Sequence, residues 1–217
     1  MNTSVETTPL VLYVFDAYCG WCYGFSQKMA EYEAAHRHRV RFDAISGGLF
    51  VGERALPIGA YPHIPGANAR IASLSGVTFG APYLDVLKDG RLMMNSADVA
   101  AGYAALREQA PDRAIELVHL VQEAFYLHGK NFSDPQTFVE LARKAGLDDR
   151  RVASLLSSGE ASRMAAADFR RARELGVASY PTVLYIQDDR IVPLPATGST
   201  LEEFTAALNA AMADPRR

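Results

Sequence analysis

Two cysteines, Cys19 and Cys22, are the only ones in 217 residues, and they stand three positions apart. On one helical turn such a pair has neighbouring Cβ atoms and a Cα separation that a disulfide accepts. The bond can then open and close with little backbone movement. Cys19 falls at the start of the predicted helix, where unpaired N–H groups and the positive end of the dipole favour a thiolate. In C-x-x-C motifs the thiol pKa falls from about 8.5 to within roughly 3.5–7.5. Cys22, one turn inside, is expected to be more buried and less ionised. The labour divides accordingly: Cys19 attacks or is attacked, and Cys22 resolves the mixed disulfide.

Other uses of two cysteines fare worse. A disulfide-stapled scaffold carries more of them, and a chain of this size does not need staples. A structural zinc site wants four ligands, and no second pair completes one, so no metal is expected. His36 and His38, flanked by Arg37 and Arg39, read as a solvated, charged helix end. No phosphate loop, dinucleotide-binding glycine pattern, carboxylate pair or histidine triad stands out.

The elements that position the pair follow from pattern. Leu10–Phe15 is a continuous apolar run that suits a buried strand. Tyr23 to about Arg37 reads as helix, with Phe25, Met29 and Tyr32 as its buried stripe. Val40–Ile45 alternates apolar and polar as a second strand should, and Gly47-Gly48 breaks it. The C-x-x-C therefore lies at the carboxyl end of the first strand, the edge where open α/β sheets place their sites. From Pro65 to Gly176 the signals are helical. One stripe holds Leu117, Leu120, Val121, Ala124 and Phe125; another helix starts at Ser133-Asp-Pro-Gln136 and stops at Gly146. Arg163, Arg170, Arg171 and Arg173 read as a solvated face. Thr182–Gln187 and Arg190–Leu194 flank an Asp188-Asp189 turn, as an antiparallel hairpin does. Ser199-Thr-Leu-Glu202 is a capping-box pattern opening a final helix, with Leu201, Phe204, Leu208 and Met212 on one face. The extreme N-terminus and the Asp214–Arg217 tail look frayed. The order is α/β: a first part at 10–64, a helical insert at 65–176 and a second part at 177–213.

Composition narrows the function. Apolar residues make up 49% and charged residues 22%, with a formal charge of -3. That balance gives no electrostatic reason to bind nucleic acid or an anionic membrane. The longest stretch without Asp, Glu, Lys or Arg is Ala55–Ala69, fifteen residues interrupted by prolines, too short to span a bilayer. Residues 1–9 hold no Lys or Arg, and the apolar run behind them is only six residues, so no secretory leader is expected and the chain reads as cytoplasmic.

Phe15-Asp-Ala-Tyr-Cys-Gly-Trp-Cys-Tyr-Gly24 resembles the active-site segment of the DsbA family of thioredoxin-fold proteins. It is most similar to the cytoplasmic branch of FrnE-like and predicted protein-disulfide isomerases, in which an Asp stands three before the first Cys. Gly47-Gly-Leu49 also looks like that branch. The resemblance covers the whole chain in element order and implies a thioredoxin fold with a large all-helical insert. It further implies a cis peptide between Tyr180 and Pro181, facing the cysteines, where backbone at Tyr180 and Thr182 pairs with the substrate as an added strand does. By sequence alone, Pro181 simply opening a strand is an adequate reading.

Weaker candidates surround the pair. Asp16 either tunes the Cys19 thiolate, relays a proton to the leaving thiol, or only ties down the turn. Gly20 and Trp21 form the intervening dipeptide, with Trp21 as substrate contact or packed lid. Tyr18, Tyr23 and Tyr180 line an aromatic peptide groove or pack in the core. The leading expectation is a thiol–disulfide oxidoreductase or isomerase acting on protein or peptide thiols and disulfides. It needs no bound cofactor beyond its own disulfide, with glutathione as a possible redox partner. Two rivals stand beside it: glutathione-dependent isomerases of the 2-hydroxychromene-2-carboxylate or kappa-transferase type, which share the fold, and a non-catalytic redox-regulated chaperone or metal-handling dithiol. The isomerases typically carry Ser at the first position, so the intact pair speaks against them.

Overall fold

A computed structural model describes residues 8–213. The ends expected to fray lie outside that range. Four strands, β1 (Leu10–Phe15), β2 (Arg41–Ser46), β3 (Thr182–Gln187) and β4 (Arg190–Leu194), form one sheet in the order β2-β1-β3-β4. β1 and β2 are parallel, joined through helix α1 (Gly20–His36); β3 runs antiparallel to both β1 and β4. Phe15 pairs with Ser46 and Val14 with Thr182, so the carboxyl end of β1 abuts both the end of β2 and the start of β3.

β1 is covered on both faces. Val11, Tyr13 and Phe15 belong to the main core with α1, while Leu12 and Val14 pack with Ile45 and Ala172 on the other side. This is why its sequence is continuously apolar rather than alternating. The hairpin turns through Asp188, whose φ of 53° is left-handed, a conformation Asp tolerates better than most residues.

Between β2 and β3 run seven helices: α2 (Ile64–Ser75), α3 (Ala81–Asp89), α4 (Ser96–Arg107), α5 (Ala114–Tyr126), α6 (Pro135–Lys144), α7 (Asp149–Ser157) and α8 (Glu160–Glu174). They share one core with the strands: α5 lies against α1 and β2, and α8 against β2. Asp134 caps α6 through the Gln136 N–H, with Pro135 at its first position and Gly146 left-handed behind it. Arg163, Arg170, Arg171 and Arg173 are exposed on α8. No helix of the described residues is long and apolar enough to cross a membrane.

Three local expectations are corrected. α1 begins at Gly20, three residues earlier than the pattern suggests. His36 is not solvated: it is buried, 2.9 Å from Thr205 Oγ1 and tilted against Phe204, because helix α9 (Leu201–Ala213) covers the end of α1. The capping box of α9 is Thr200 with Glu203, one residue on from Ser199-x-x-Glu202. Ser199 is instead recruited by the Tyr32 hydroxyl at 2.7 Å, and Leu201 faces outward, 39% exposed.

Candidate active site

Helix α1 starts where β1 ends, and Cys19 is its N-cap. The Cys22 N–H donates to Cys19 Sγ at 3.3 Å, satisfying one of the helix's orphan donors with sulfur. Negative charge developing on that sulfur meets an N–H and the positive end of a seventeen-residue helix. On its other side Cys19 Sγ donates to Tyr180 O at 3.6 Å, directly before the cis Tyr180–Pro181 peptide. Both cysteines are free thiols; Cys19 keeps 6% exposure and Cys22 none. Burial pushes the Cys22 thiol up, and the neighbouring Cys19 pushes it further.

Asp16 is wholly buried beneath this turn and uses both oxygens. Oδ1 accepts from Tyr18 N at 3.0 Å and Oδ2 from Leu49 N at 2.7 Å. Burial raises its pKa from the ordinary carboxylate value, although the Leu49 amide and the Ser96 hydroxyl work against that. The tie to Leu49 anchors the loop after β2, and Tyr180 anchors the same loop by donating its hydroxyl to Gly47 O at 2.6 Å. A Cβ on Gly47 would stand 2.0 Å from the Tyr180 ring, so the close approach requires glycine there. Asp16, Gly47 and Tyr180 thus lock three loops around one sulfur. Thr182 opens β3 and closes this turn through Oγ1 to Ser179 O.

A family model described as a DSBA-like thioredoxin domain matches residues 10–204. The chain belongs to that family. Among solved structures, the cytosolic disulfide reductase DsbM from Pseudomonas aeruginosa is 26% identical, with a TM-score of 0.78 over 95% of this chain and all of that one. The same reductase solved with GSH is 27% identical, with a TM-score of 0.75 over 94% of this chain and 99% of that one. A 2-hydroxychromene-2-carboxylate isomerase is 18% identical, with a TM-score of 0.57 over 94% of each chain, a likeness of fold alone. No curated protein matches the sequence.

In this DSBA-like chain the three tyrosines expected at an aromatic groove are placed differently from one another. Tyr23 is buried, stacked on Tyr126 at 4.6 Å with its hydroxyl donated to Thr78 O. Tyr18 packs edge-on against Phe125 and lines the cavity beside Cys19. Helix α2, unremarked in the sequence, supplies another wall beside Cys19. It crosses the start of α1 so closely that a Cβ on Gly20 would meet Ile71 at 2.9 Å. Trp21 is half-buried beneath Arg70, 6.0 Å over its ring. Between Trp21, Leu49, Ile64 and Asn68 a cavity of about 130 Å³ opens beside Cys19. The available signal was a polar Asn68 set in the apolar series Ile64, Asn68, Ile71 at i, i+4 and i+7. Among the described residues, no cluster of three or more His, Cys, Asp or Glu is placed to hold a metal.

Proposed function

We propose that the protein is a cytoplasmic thiol–disulfide oxidoreductase that exchanges disulfides with peptide or protein substrates. The observation that carries this reading is Cys19 itself: a helix N-cap sulfur, solvated just enough to be reached, facing main chain at a cis proline. Family membership and the likeness to a cytosolic disulfide reductase support it.

In the reductive direction the Cys19 thiolate attacks one sulfur of a substrate disulfide. The substrate S–S bond breaks, its other sulfur leaves as a thiolate that takes a proton from solvent, and Cys19 carries the mixed disulfide. The substrate chain lies along the backbone at Tyr180 and Thr182 as an added strand. Cys22 then loses its proton and attacks Cys19 Sγ, releasing the second substrate thiol and closing Cys19–Cys22. Two electrons have passed to the substrate, and two equivalents of a low-molecular-weight thiol such as glutathione restore the pair. The raised Cys22 pKa keeps it a thiol in the reduced pair and leaves Cys19 as the attacking sulfur. Asp16 acts as the tie between loops.

The test is reduction of insulin or of bis(2-hydroxyethyl) disulfide with glutathione as donor. Cys19→Ser is expected to lower turnover at least a hundredfold, and Cys22→Ala to accumulate a mixed disulfide visible by mass spectrometry. Turnover unchanged in Cys19→Ser rejects the reading.

A further inference from the structure

The cavity beside Cys19 has apolar walls but a polar floor that the fold leaves unpaired. Tyr126 is 1% exposed and lines the cavity, and no hydrogen bond to its hydroxyl is formed among the described residues. Asn68 is 6% exposed; its Nδ2 donates to Tyr83 Oη at 2.9 Å, while its Oδ1 has no partner. Tyr83, 1% exposed, accepts that bond and keeps its own proton to give. These groups come from α5, α2 and α3, yet they converge beside the residue after Cys19. Asn68 Oδ1 and Tyr126 Oη lie 3.4 and 3.9 Å from the point where a Cβ on Gly20 would stand. Neither oxygen is sealed off by the fold, so both open onto the cavity beside the reactive sulfur with hydrogen-bonding capacity for a ligand there.

The chemistry of that ligand follows from the set. The floor offers O–H donors from Tyr126 and Tyr83 and an acceptor from Asn68, on separate atoms and without charge. No Lys or Arg lines the cavity, and His63 in its lining is exposed. A carboxylate brought to this floor finds no Lys or Arg among the lining residues, and a hydrocarbon leaves the floor's polar groups unused. A neutral amide satisfies both sides, its carbonyl taking a tyrosine proton and its N–H going to Asn68.

We propose that this cavity is an amide-binding subsite that selects the peptide carrying the cysteine attacked by Cys19. The inference rests on the exchange reading for where the substrate cysteine sits, but its test needs no exchange. Two sources carry the same chemistry: a main-chain amide beside the substrate cysteine, or the side-chain amide of a neighbouring Gln or Asn.

Trp21, the only tryptophan, lines the cavity and reports its occupancy by fluorescence. The reduced full-length protein is titrated with thioether probes that cannot exchange. They are N-acetyl-S-methylcysteine methylamide, the matching methyl ester, and N-acetyl-S-methylcysteinyl peptides followed by Gln or Leu methylamide. The expected result is saturable binding of the methylamide and about tenfold weaker binding of the ester. Tyr126→Phe, which deletes a hydroxyl with no partner in the fold, should weaken the methylamide about tenfold while leaving the melting temperature unchanged. Asn68→Leu should weaken it similarly. Equal affinity for the Gln and Leu probes assigns the amide to main chain, and tighter Gln binding assigns it to the side chain. Absence of saturable binding, equal affinity for amide and ester, unchanged affinity in Tyr126→Phe, or affinity lost together with the melting temperature each overturns the subsite. Exchange with bis(2-hydroxyethyl) disulfide is assayed separately, so a failed subsite and a failed oxidoreductase are told apart.

Discussion

Main chain faces Cys19 on one side and side chains from four helices face it on the other. On the first side stand the Tyr180 carbonyl and the start of β3, held by the Tyr180 hydroxyl on Gly47. On the second stand Trp21, Asn68, Tyr83 and Tyr126. A backbone wall reads no side chains, so it suits any extended peptide. A side-chain wall has shape and polarity of its own, so it can choose. On the proposed reading, the hairpin side supplies the general act of docking and the helical side supplies selection. Tolerance should differ too: the Tyr180 ring packed on Gly47 is held by its hydroxyl bond, whereas the atom nearest a Cβ on Gly20 is the flexible end of Ile71.

One substitution on the rigid side should have the largest effect. Gly47→Ala puts a methyl 2.0 Å from a Tyr180 ring atom, and the ring cannot retreat without breaking its bond to Gly47 O. We expect a loss of about 1–3 kcal/mol in urea unfolding, typical of overpacking. Displacing the Tyr180 backbone should lower kcat/KM for insulin reduction by at least tenfold. A variant as active and stable as the wild type removes the claim that this wall is rigid.

Asp16 ties the cysteine turn to the loop after β2, holding Tyr18 N on one and Leu49 N on the other. Its folded pKa is raised, chiefly by burial, so its contribution is full below the unfolded value of about 3.9 and is lost as pH rises through the folded value. Unfolding titrations from pH 3 to 7 should show wild type losing ground against Asp16→Asn with rising pH, by no more than about 1.4 kcal/mol per pH unit. A difference independent of pH shows that the carboxyl is not held protonated by burial.

The legible parts of the sequence were those set by local rules. β1, the Asp134 cap and the Asp188-Asp189 turn each depend on a handful of consecutive residues, and their places follow from patterning and turn chemistry. The cysteine pair was legible for the same reason, since spacing alone puts both sulfurs on one turn. What was hidden depends on distant partners. His36 looks solvated until α9 covers it, Ser199 looks like the cap until Tyr32 claims it, and Tyr23 looks like a groove residue until Tyr126 stacks on it. Asn68 is the extreme case: its meaning needs α1, α3 and α5 packed around it, and no window along the chain contains them.

Smaller effects separate the walls more finely. Tyr180→Phe keeps the ring and removes only the bond to Gly47 O, so about 0.5–1.5 kcal/mol of stability should be lost. Activity should fall less than in Gly47→Ala, because the ring still fills its place. Equal losses in the two variants make the hydroxyl, rather than the close approach, the feature that sets this wall.

Gly20→Ala makes the same chemical change on the other side and should give the smallest effect on stability. Its methyl meets Ile71 Cδ1 at 2.9 Å, the free end of a side chain that can turn aside, and Gly20 has an ordinary helical backbone at the first position of α1. Replacing glycine there removes unfolded-state freedom worth about 0.4–1 kcal/mol, which offsets the repacking of Ile71. The melting temperature should therefore stay within about 2 °C of wild type. The methyl nevertheless stands 3.4 Å from Asn68 Oδ1, in front of the polar floor. Amide-probe binding should then weaken while the fold does not. A clear drop in melting temperature would mean that α2 is packed against the cysteine turn as rigidly as the Gly47 loop, and the contrast between the walls would be gone.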